Sequence, residues 1–150
     1  MSENLLRVVP TVPDWAPDRD VAAAAAEIIS AMCPGSGAVV ACRYAEVTFI
    51  DPGVNFEAVS CPGCTALLKA DWWRQCMDEA HATRFAYLDT VTPCCSAAVS
   101  LNDLEYHWPA AFAQFELRVH NPGRSWLSPA EAVQVSNVLG ITIRQVLSHY

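Results

Sequence analysis

Four cysteines in two close pairs constrain the fold of this chain more than any other feature. Cys61 and Cys64 enclose Pro62-Gly63, and Cys94-Cys95 follow after 29 intervening residues. One tetrahedral Zn²⁺ ion binds four thiolates at about 2.3 Å, and two such pairs can converge on one ion. We therefore predict a structural Zn²⁺ site formed by Cys61, Cys64, Cys94 and Cys95, which would bring the two ends of the intervening segment together.

The first pair resembles the Cys-Pro-x-Cys knuckle of zinc-ribbon proteins, over residues 61 to 64 alone. The segment Thr92-Pro93-Cys94-Cys95-Ser96 resembles it less closely, because in that register Thr92 stands at the first ligand position and Cys94 in the spacer. Two hypotheses follow. Either both adjacent cysteines bind the metal, or Cys95 binds and the fourth ligand comes from Cys76, His81 or His107.

Thiol–disulfide chemistry at Cys61 and Cys64 is an alternative use of the same motif. The pattern places the motif between a strand and a helix, and a helix N-terminus would lower a thiol pKa. This order resembles that of thioredoxin-like proteins, in which an aromatic residue usually precedes the motif, whereas Ser60 stands there in this chain. Pro93 resembles the proline that faces the site in those proteins, but the 28 residues between Cys64 and Pro93 leave little room for the further crossover that their fold needs. The isolated Cys33, Cys42 and Cys76 are expected to be small buried hydrophobic residues.

Catalytic zinc chemistry is not favoured, and no catalytic residue is assigned. Four thiolates would fill every tetrahedral position, whereas a catalytic zinc keeps one position open. Neither the zinc-deaminase signature nor His-Glu-x-x-His is present. The four histidines are scattered along the chain and form no recognisable group with a serine or cysteine.

The charge of the chain bears on its partners. Sixteen acidic residues outweigh one lysine and eight arginines, which gives a net charge of −7 and no basic run. Such a surface repels phosphate backbones, so a nucleic-acid-binding zinc ribbon is the least favoured hypothesis. An acidic adaptor, or an immunity-type inhibitor of a basic protein partner, fits the charge better.

Composition and length predict one globular domain. Apolar residues make up 53% of 150 residues and charged residues 17%. No apolar run reaches the roughly 18 residues needed to cross a bilayer, so we expect a cytoplasmic protein without membrane contact. The alanine- and arginine-rich, lysine-poor usage resembles that of proteins from GC-rich bacteria.

Periodicity predicts an α+β fold with an antiparallel sheet packed by two to three helices. Residues 1–17, with three prolines near the end, are expected to form an extended N-terminal arm, and residues 18–150 a single zinc-binding domain. We predict helices over 18–32, 65–81 and 129–139 and strands over 42–50, 56–60, 85–91 and 114–120. The first two strands are expected to form a hairpin, and residues 141–149 fit a short helix or an edge strand.

Aromatic residues follow the second cysteine pair closely. Tyr106, His107 and Trp108 are expected either to cover the metal or to contact a partner. Trp15 and Trp126, which lie in predicted loops, are further candidates for a partner surface or for core packing.

Overall fold

The computed structural model describes residues 2–150, which form eight strands and three α-helices. The strands are β1 (Asn4–Pro10), β2 (Val39–Ile50), β3 (Val59–Ser60), β4 (Asp89–Val91), β5 (Ala98–Ser100), β6 (Glu105–Tyr106), β7 (Ala111–His120) and β8 (Ile143–His149). The helices are α1 (Arg19–Met32), α2 (Ala70–Ala82) and α3 (Pro129–Leu139), with a 3₁₀ turn at Leu101–Asp103. No described helix has the length and apolar character that crossing a membrane requires.

A four-stranded antiparallel sheet in the order β2-β7-β1-β8 organises the fold. Its elements run β1, α1, β2, β7, α3, β8 along the chain, which is the β-α-β-β-α-β connectivity of ferredoxin-like folds. Residues 51–110 interrupt this connectivity between β2 and β7; we call this segment the insertion. The predicted α+β class is confirmed, although strand order alone assigns no function.

Two helices, α1 and α3, pack together with the sheet, and hydrogen bonds cap their first turns. The Asp18 carboxylate accepts a hydrogen bond of 2.8 Å from the Val21 amide at the start of α1. Ser128 and Glu131 form a reciprocal capping box at α3, and Gly140 ends that helix with a φ of 81°. The shared core is built from residues of both helices and of β1 and β7: Leu6, Val8, Ala22, Ala25, Ile29, Phe115, Leu117, Val119, Val135 and Leu139.

The first strand corrects the expected N-terminal arm. Residues 4–10 form β1, an inner strand hydrogen-bonded to β7 on one side and to β8 on the other. Leu5, Leu6, Val8 and Val9 are all buried, so the strand does not alternate between apolar and polar residues. Met1, the first residue of the expected arm, lies outside the described residues.

Pairing within the insertion also differs from the expectation. The strand expected over 56–60 is reduced to β3, which pairs with β6 rather than with β2. The helix expected from residue 65 begins at Ala70, because residues 61–66 form a hydrogen-bonded turn. The strand expected over 85–91 is reduced to β4, which pairs with β5, and residues 143–149 form the edge strand β8.

The insertion has a hydrophobic core of its own that is joined to the sheet at Phe112 of β7. Phe112 packs against Phe49 of β2 and Phe85 of the insertion, with ring centroids 5.1 and 5.4 Å apart. Trp73 of α2 stacks on Phe56 at 4.9 Å. The remaining buried members of this core are Val59, Cys61, Leu68, Cys76, Ala80, Leu101 and Leu104. The insertion therefore holds Cys61 from one side by packing.

A buried ion cluster lies on strands β1 and β7. The Glu116 carboxylate is fully buried and accepts hydrogen bonds from Arg7 at 2.8 and 3.2 Å. Arg118 and the Tyr44 hydroxyl donate to the same carboxylate at 2.8 and 2.9 Å. Arg7 also donates to the Asp51 carbonyl and the Tyr150 hydroxyl, and no buried side-chain polar atom lacks a partner among the described residues.

Candidate metal centre

The four predicted cysteines meet at the surface of the insertion. The sulfur atoms of Cys61, Cys64, Cys94 and Cys95 all lie within 4.8 Å of one another. Cys61 and Cys95 are separated by 3.7 Å between sulfurs, and Cys64 and Cys94 by 3.4 Å. A tetrahedron with metal–sulfur bonds of 2.3 Å has sulfur–sulfur edges of about 3.8 Å. The cluster can thus hold one metal ion.

Residues 61–66 form the first knuckle, directly after β3. The Cys61 amide donates to the Ala66 carbonyl, and the Thr65 amide donates to the Cys61 carbonyl, both at 2.9 Å. Thr65 adopts a positive φ of 66°, which turns the chain back. The Gly63 amide points at the Cys61 sulfur at 3.3 Å, so the backbone offers a hydrogen-bond donor to a thiolate there.

Residues 92–97 form a second knuckle with the same backbone pattern, directly after β4. The Thr92 amide donates to the Ala97 carbonyl and the Ser96 amide to the Thr92 carbonyl, both at 3.0 Å. Ser96 has a positive φ of 56°, as Thr65 has in the first knuckle. Thr92 therefore occupies the position of Cys61, and Cys95 that of Cys64.

Cys94 occupies the position of Gly63. A Cβ atom built on Gly63 would lie 3.4 Å from the Cys95 sulfur and 3.6 Å from the Cys61 sulfur, so a side chain at this position points toward the sulfurs. This direction explains how Cys94 brings a fourth sulfur to the cluster from the spacer. The backbone thus aligns Thr92 with the first ligand position and Cys94 with the spacer, as the sequence resemblance implies.

The Thr92 hydroxyl lies between sulfurs of the two knuckles. Its oxygen is 3.5 Å from the sulfur of Cys61 and 3.6 Å from that of Cys95. It also accepts a hydrogen bond of 3.1 Å from the Ala97 amide. With its acceptor side engaged, the hydroxyl can donate its proton to a thiolate, so Thr92 supports ligands rather than replacing one.

Hydrogen bonding separates the acidities of the thiols. The Thr92 hydroxyl is the main cause that lowers the pKa of Cys61 to about 6, with help from the Cys64 and Gly63 amides and against burial. The Ala66 amide lowers the pKa of Cys64, but hydrogen bonds to the other sulfurs and burial outweigh it and raise that pKa to about 12. Neighbouring thiolates repel, and a divalent cation removes that repulsion.

The other proposed ligands lie apart from the cluster. Among residues 2–150, the group within metal-binding distance contains neither Cys76, His81 nor His107. The buried Cys76 sulfur lies 3.7 Å from the Thr90 hydroxyl, His81 packs edge-on against Phe85, and His107 is hydrogen-bonded to Ser60. Cys33 is buried as expected, whereas Cys42 is only half-buried.

The expected helix N-terminus is not at the cysteines. Helix α2 begins at Ala70 with Lys69 as its N-cap, so residues 65–69 separate it from Cys64. The helix dipole acts within about one turn of the helix end. The low pKa of Cys61 therefore comes from Thr92 and the knuckle backbone instead.

The aromatic residues after the second pair serve mostly in packing. The Tyr106 hydroxyl donates to the Leu101 carbonyl at 2.6 Å, and burial raises its pKa. Trp108 donates to the Leu147 carbonyl of β8 at 2.8 Å and packs beside Trp126. Trp15 packs against the core of the main sheet. The hydrogen bond from Trp108 connects the insertion with β8.

Two residues of the site were missed as functional by sequence reasoning. Gly63 leaves room for the sulfurs, and Thr92 hydrogen-bonds to them. A signal for both exists in the sequence, because proline follows Cys61 and Thr92 alike and a hydroxyl residue plus alanine ends each knuckle.

Comparison of this chain with protein-family models, curated proteins and solved structures found no match.

Proposed function

We propose that this protein binds one structural Zn²⁺ ion through Cys61, Cys64, Cys94 and Cys95. The convergence of four sulfurs from two equivalent knuckles carries the proposal. Zinc is the metal that four thiolates in knuckles most commonly hold, and it needs no further ligand. The ion would join the end of β3 to the end of β4 and so fix α2 between them.

A structural role is favoured over catalysis by the composition of the cluster. No histidine or carboxylate belongs to the group of ligand atoms found within the described chain. Four bound thiolates would leave no position for a substrate or water. The protein is then a non-enzymatic module, and its activity lies on its surface.

We further propose that the insertion binds a basic protein, as an adaptor or an inhibitor would. Residues 51–110 contain eight acidic residues and three basic ones, a balance of −5 out of the −7 of the whole chain. Four large apolar side chains of the insertion are also more than half exposed: Val54 (72%), Leu67 (67%), Tyr87 (75%) and Val91 (56%). Exposed apolar groups amid acidic ones suit a basic protein surface.

Metal analysis tests the zinc proposal. Purified protein should contain one zinc per chain, and Cys61→Ser should lose it, because a hydroxyl is a poor zinc ligand. Cys42→Ser is the matched control, since Cys42 lies outside the cluster and should not affect zinc content. Metal-free wild-type protein with a reversible Cys61–Cys64 disulfide would instead support the oxidoreductase alternative.

Site-specific photo-crosslinking tests the partner proposal. A photo-reactive residue at position 87 in the insertion should capture a basic protein, and capture should weaken as salt is raised. The same residue at position 133, on the exposed side of α3, is the control. Equal capture at both positions, or capture of nucleic acid, would contradict this assignment.

A further inference from the structure

We propose that Cys64 and Cys94 form a peroxide-sensitive pair, whose oxidation to a disulfide releases the metal. This inference rests on the proposed zinc site and adds a modification to it. It follows from the asymmetry between two otherwise equivalent knuckles. The distance between the two sulfurs and the contacts of Thr92 separate this pair from Cys61 and Cys95.

Cys94 reaches the cluster from a position that is not the regular ligand position. Its counterpart in the first knuckle is Gly63, and the regular position is held by Thr92. The hydrogen bonds that close the second knuckle join Thr92 to Ser96 and Ala97, so rotation of the Cys94 side chain can move its sulfur toward Cys64 while this turn stays closed.

Exposure and distance favour a reaction between Cys64 and Cys94. Cys64, Cys94 and Cys95 are exposed, and the sulfurs of Cys64 and Cys94 are 3.4 Å apart, against 3.7 Å between those of Cys61 and Cys95. Cys61 is fully buried and packs in the core of the insertion. A solvent-borne oxidant therefore reaches Cys64 and Cys94 without opening this core.

Thr92 protects the other pair. Its hydroxyl is hydrogen-bonded to the sulfurs of Cys61 and Cys95, and no such hydroxyl contact is made to Cys64 or Cys94 within residues 2–150. A hydrogen bond to a thiolate stabilises its charge and lowers its nucleophilicity. The second knuckle thus has one shielded sulfur and one reactive sulfur side by side.

The chemistry requires one equivalent of hydrogen peroxide. The Cys94 thiolate attacks a peroxide oxygen, and the O–O bond breaks. A hydroxide ion departs, and Cys94 becomes a sulfenic acid. The Cys64 thiolate then attacks the Cys94 sulfur, the S–S bond forms, and the second hydroxide leaves. Two thiolates lose two electrons, and the peroxide takes these with two protons to become two waters. Two thiolates remain for the metal, too few to retain it.

Disulfide mapping of the oxidised zinc protein tests the proposal. Trypsin cuts after Arg43, Lys69, Arg84 and Arg118, so Cys61 and Cys64 lie on fragment 44–69 and Cys94 and Cys95 on fragment 85–118. Peroxide should join the two fragments through Cys64 and Cys94, as tandem mass spectrometry can assign. Zinc should appear in parallel in a colorimetric assay, and a reductant should restore binding.

The variant Thr92→Val is the matched control, because it removes the hydroxyl beside Cys61 and Cys95 and keeps all four cysteines. It should bind one zinc, but peroxide should now also form disulfides that include Cys61 or Cys95. An unchanged disulfide pattern in the variant, or a wild-type disulfide confined to Cys61–Cys64, would overturn the proposal while leaving the zinc site intact. Wild-type protein that never binds zinc would overturn the site itself.

Discussion

Replacement of Glu116 by glutamine should destabilise the fold severely. The variant keeps the size of the side chain but removes the negative charge between Arg7 and Arg118, which contact the carboxylate at 2.8 Å each. Glu116 is fully buried and Arg7 only 5% exposed, so the Arg7 cation would stay desolvated without its counter-ion. Removing one partner of a buried ion pair costs about 3–5 kcal/mol, and we expect a loss in this range.

The exposed pair Arg84–Glu46 provides a control of equal length. Its N–O distance is also 2.8 Å, but its side chains are 77% and 46% exposed. Solvent screens such a pair, so Glu46→Gln should change stability little. The two variants therefore differ in burial and not in the distance of the ion pair.

The stability of both variants is measured by urea unfolding, with circular dichroism as the signal. Saturating zinc keeps the metal content of the proteins the same. The midpoint for Glu116→Gln should fall well below that of the wild type, with an unchanged slope. The midpoint for Glu46→Gln should stay near the wild-type value. A loss for Glu116→Gln no larger than that for Glu46→Gln would refute the argument that burial makes this cluster structurally important.

Three further predictions concern the knuckle and a helix end. Gly63→Ala places a Cβ 3.1 Å from the Ala97 Cβ and beside two sulfurs. It should lower the free energy of unfolding by about 1–3 kcal/mol and weaken zinc binding in a competition assay. An unaltered zinc affinity would contradict the packing argument. Gly37→Ala, whose nearest contacts are 3.4 Å away, is its control and should cost less. Ser128→Ala removes the capping hydrogen bond of α3 and should lower the free energy of unfolding by about 1 kcal/mol; no change would show that the cap is dispensable. The Arg124 side chain and the Ser128 amide hold the pKa of Glu131 at about 2, below its unfolded value of about 4.3, so its stabilisation is present above pH 4.3 and lost as pH falls toward 2. Thermal unfolding from pH 6 to pH 2 should therefore show a flatter pH dependence for Glu131→Gln than for the wild type, and identical slopes would count against the pairing.

Local signals in the sequence predict the helices of the main sheet well. Asp18 marks the start of α1, and Ser128 and Gly140 mark the start and the end of α3, through contacts within a few residues. Strand β1 was missed because Leu5 to Val9 are buried on both sides, which erases alternation. Pairing of β3 was also missed, because its partner Tyr106 is distant in sequence from Val59.

The candidate site was predicted in its ligands but not in its surroundings. Cysteine spacing alone brought Cys61, Cys64, Cys94 and Cys95 together as candidates, and their sulfurs do converge. The contact of Thr92 with Cys61 depends on how two distant knuckles face each other, which spacing does not reveal. Similarly, Glu116 alternates as a polar residue in β7 but is fully buried, because the partners that cover it come from other strands.

Zinc K-edge X-ray absorption of the purified protein tests the central claim most directly. The account predicts one zinc per chain with four sulfur neighbours at about 2.3 Å and no nitrogen or oxygen neighbour. Cys94→Ser should reduce the sulfur neighbours to three, whereas Cys42→Ser should leave all four. Absence of zinc, or a wild-type spectrum with three sulfurs and one lighter ligand, would contradict the four-cysteine site.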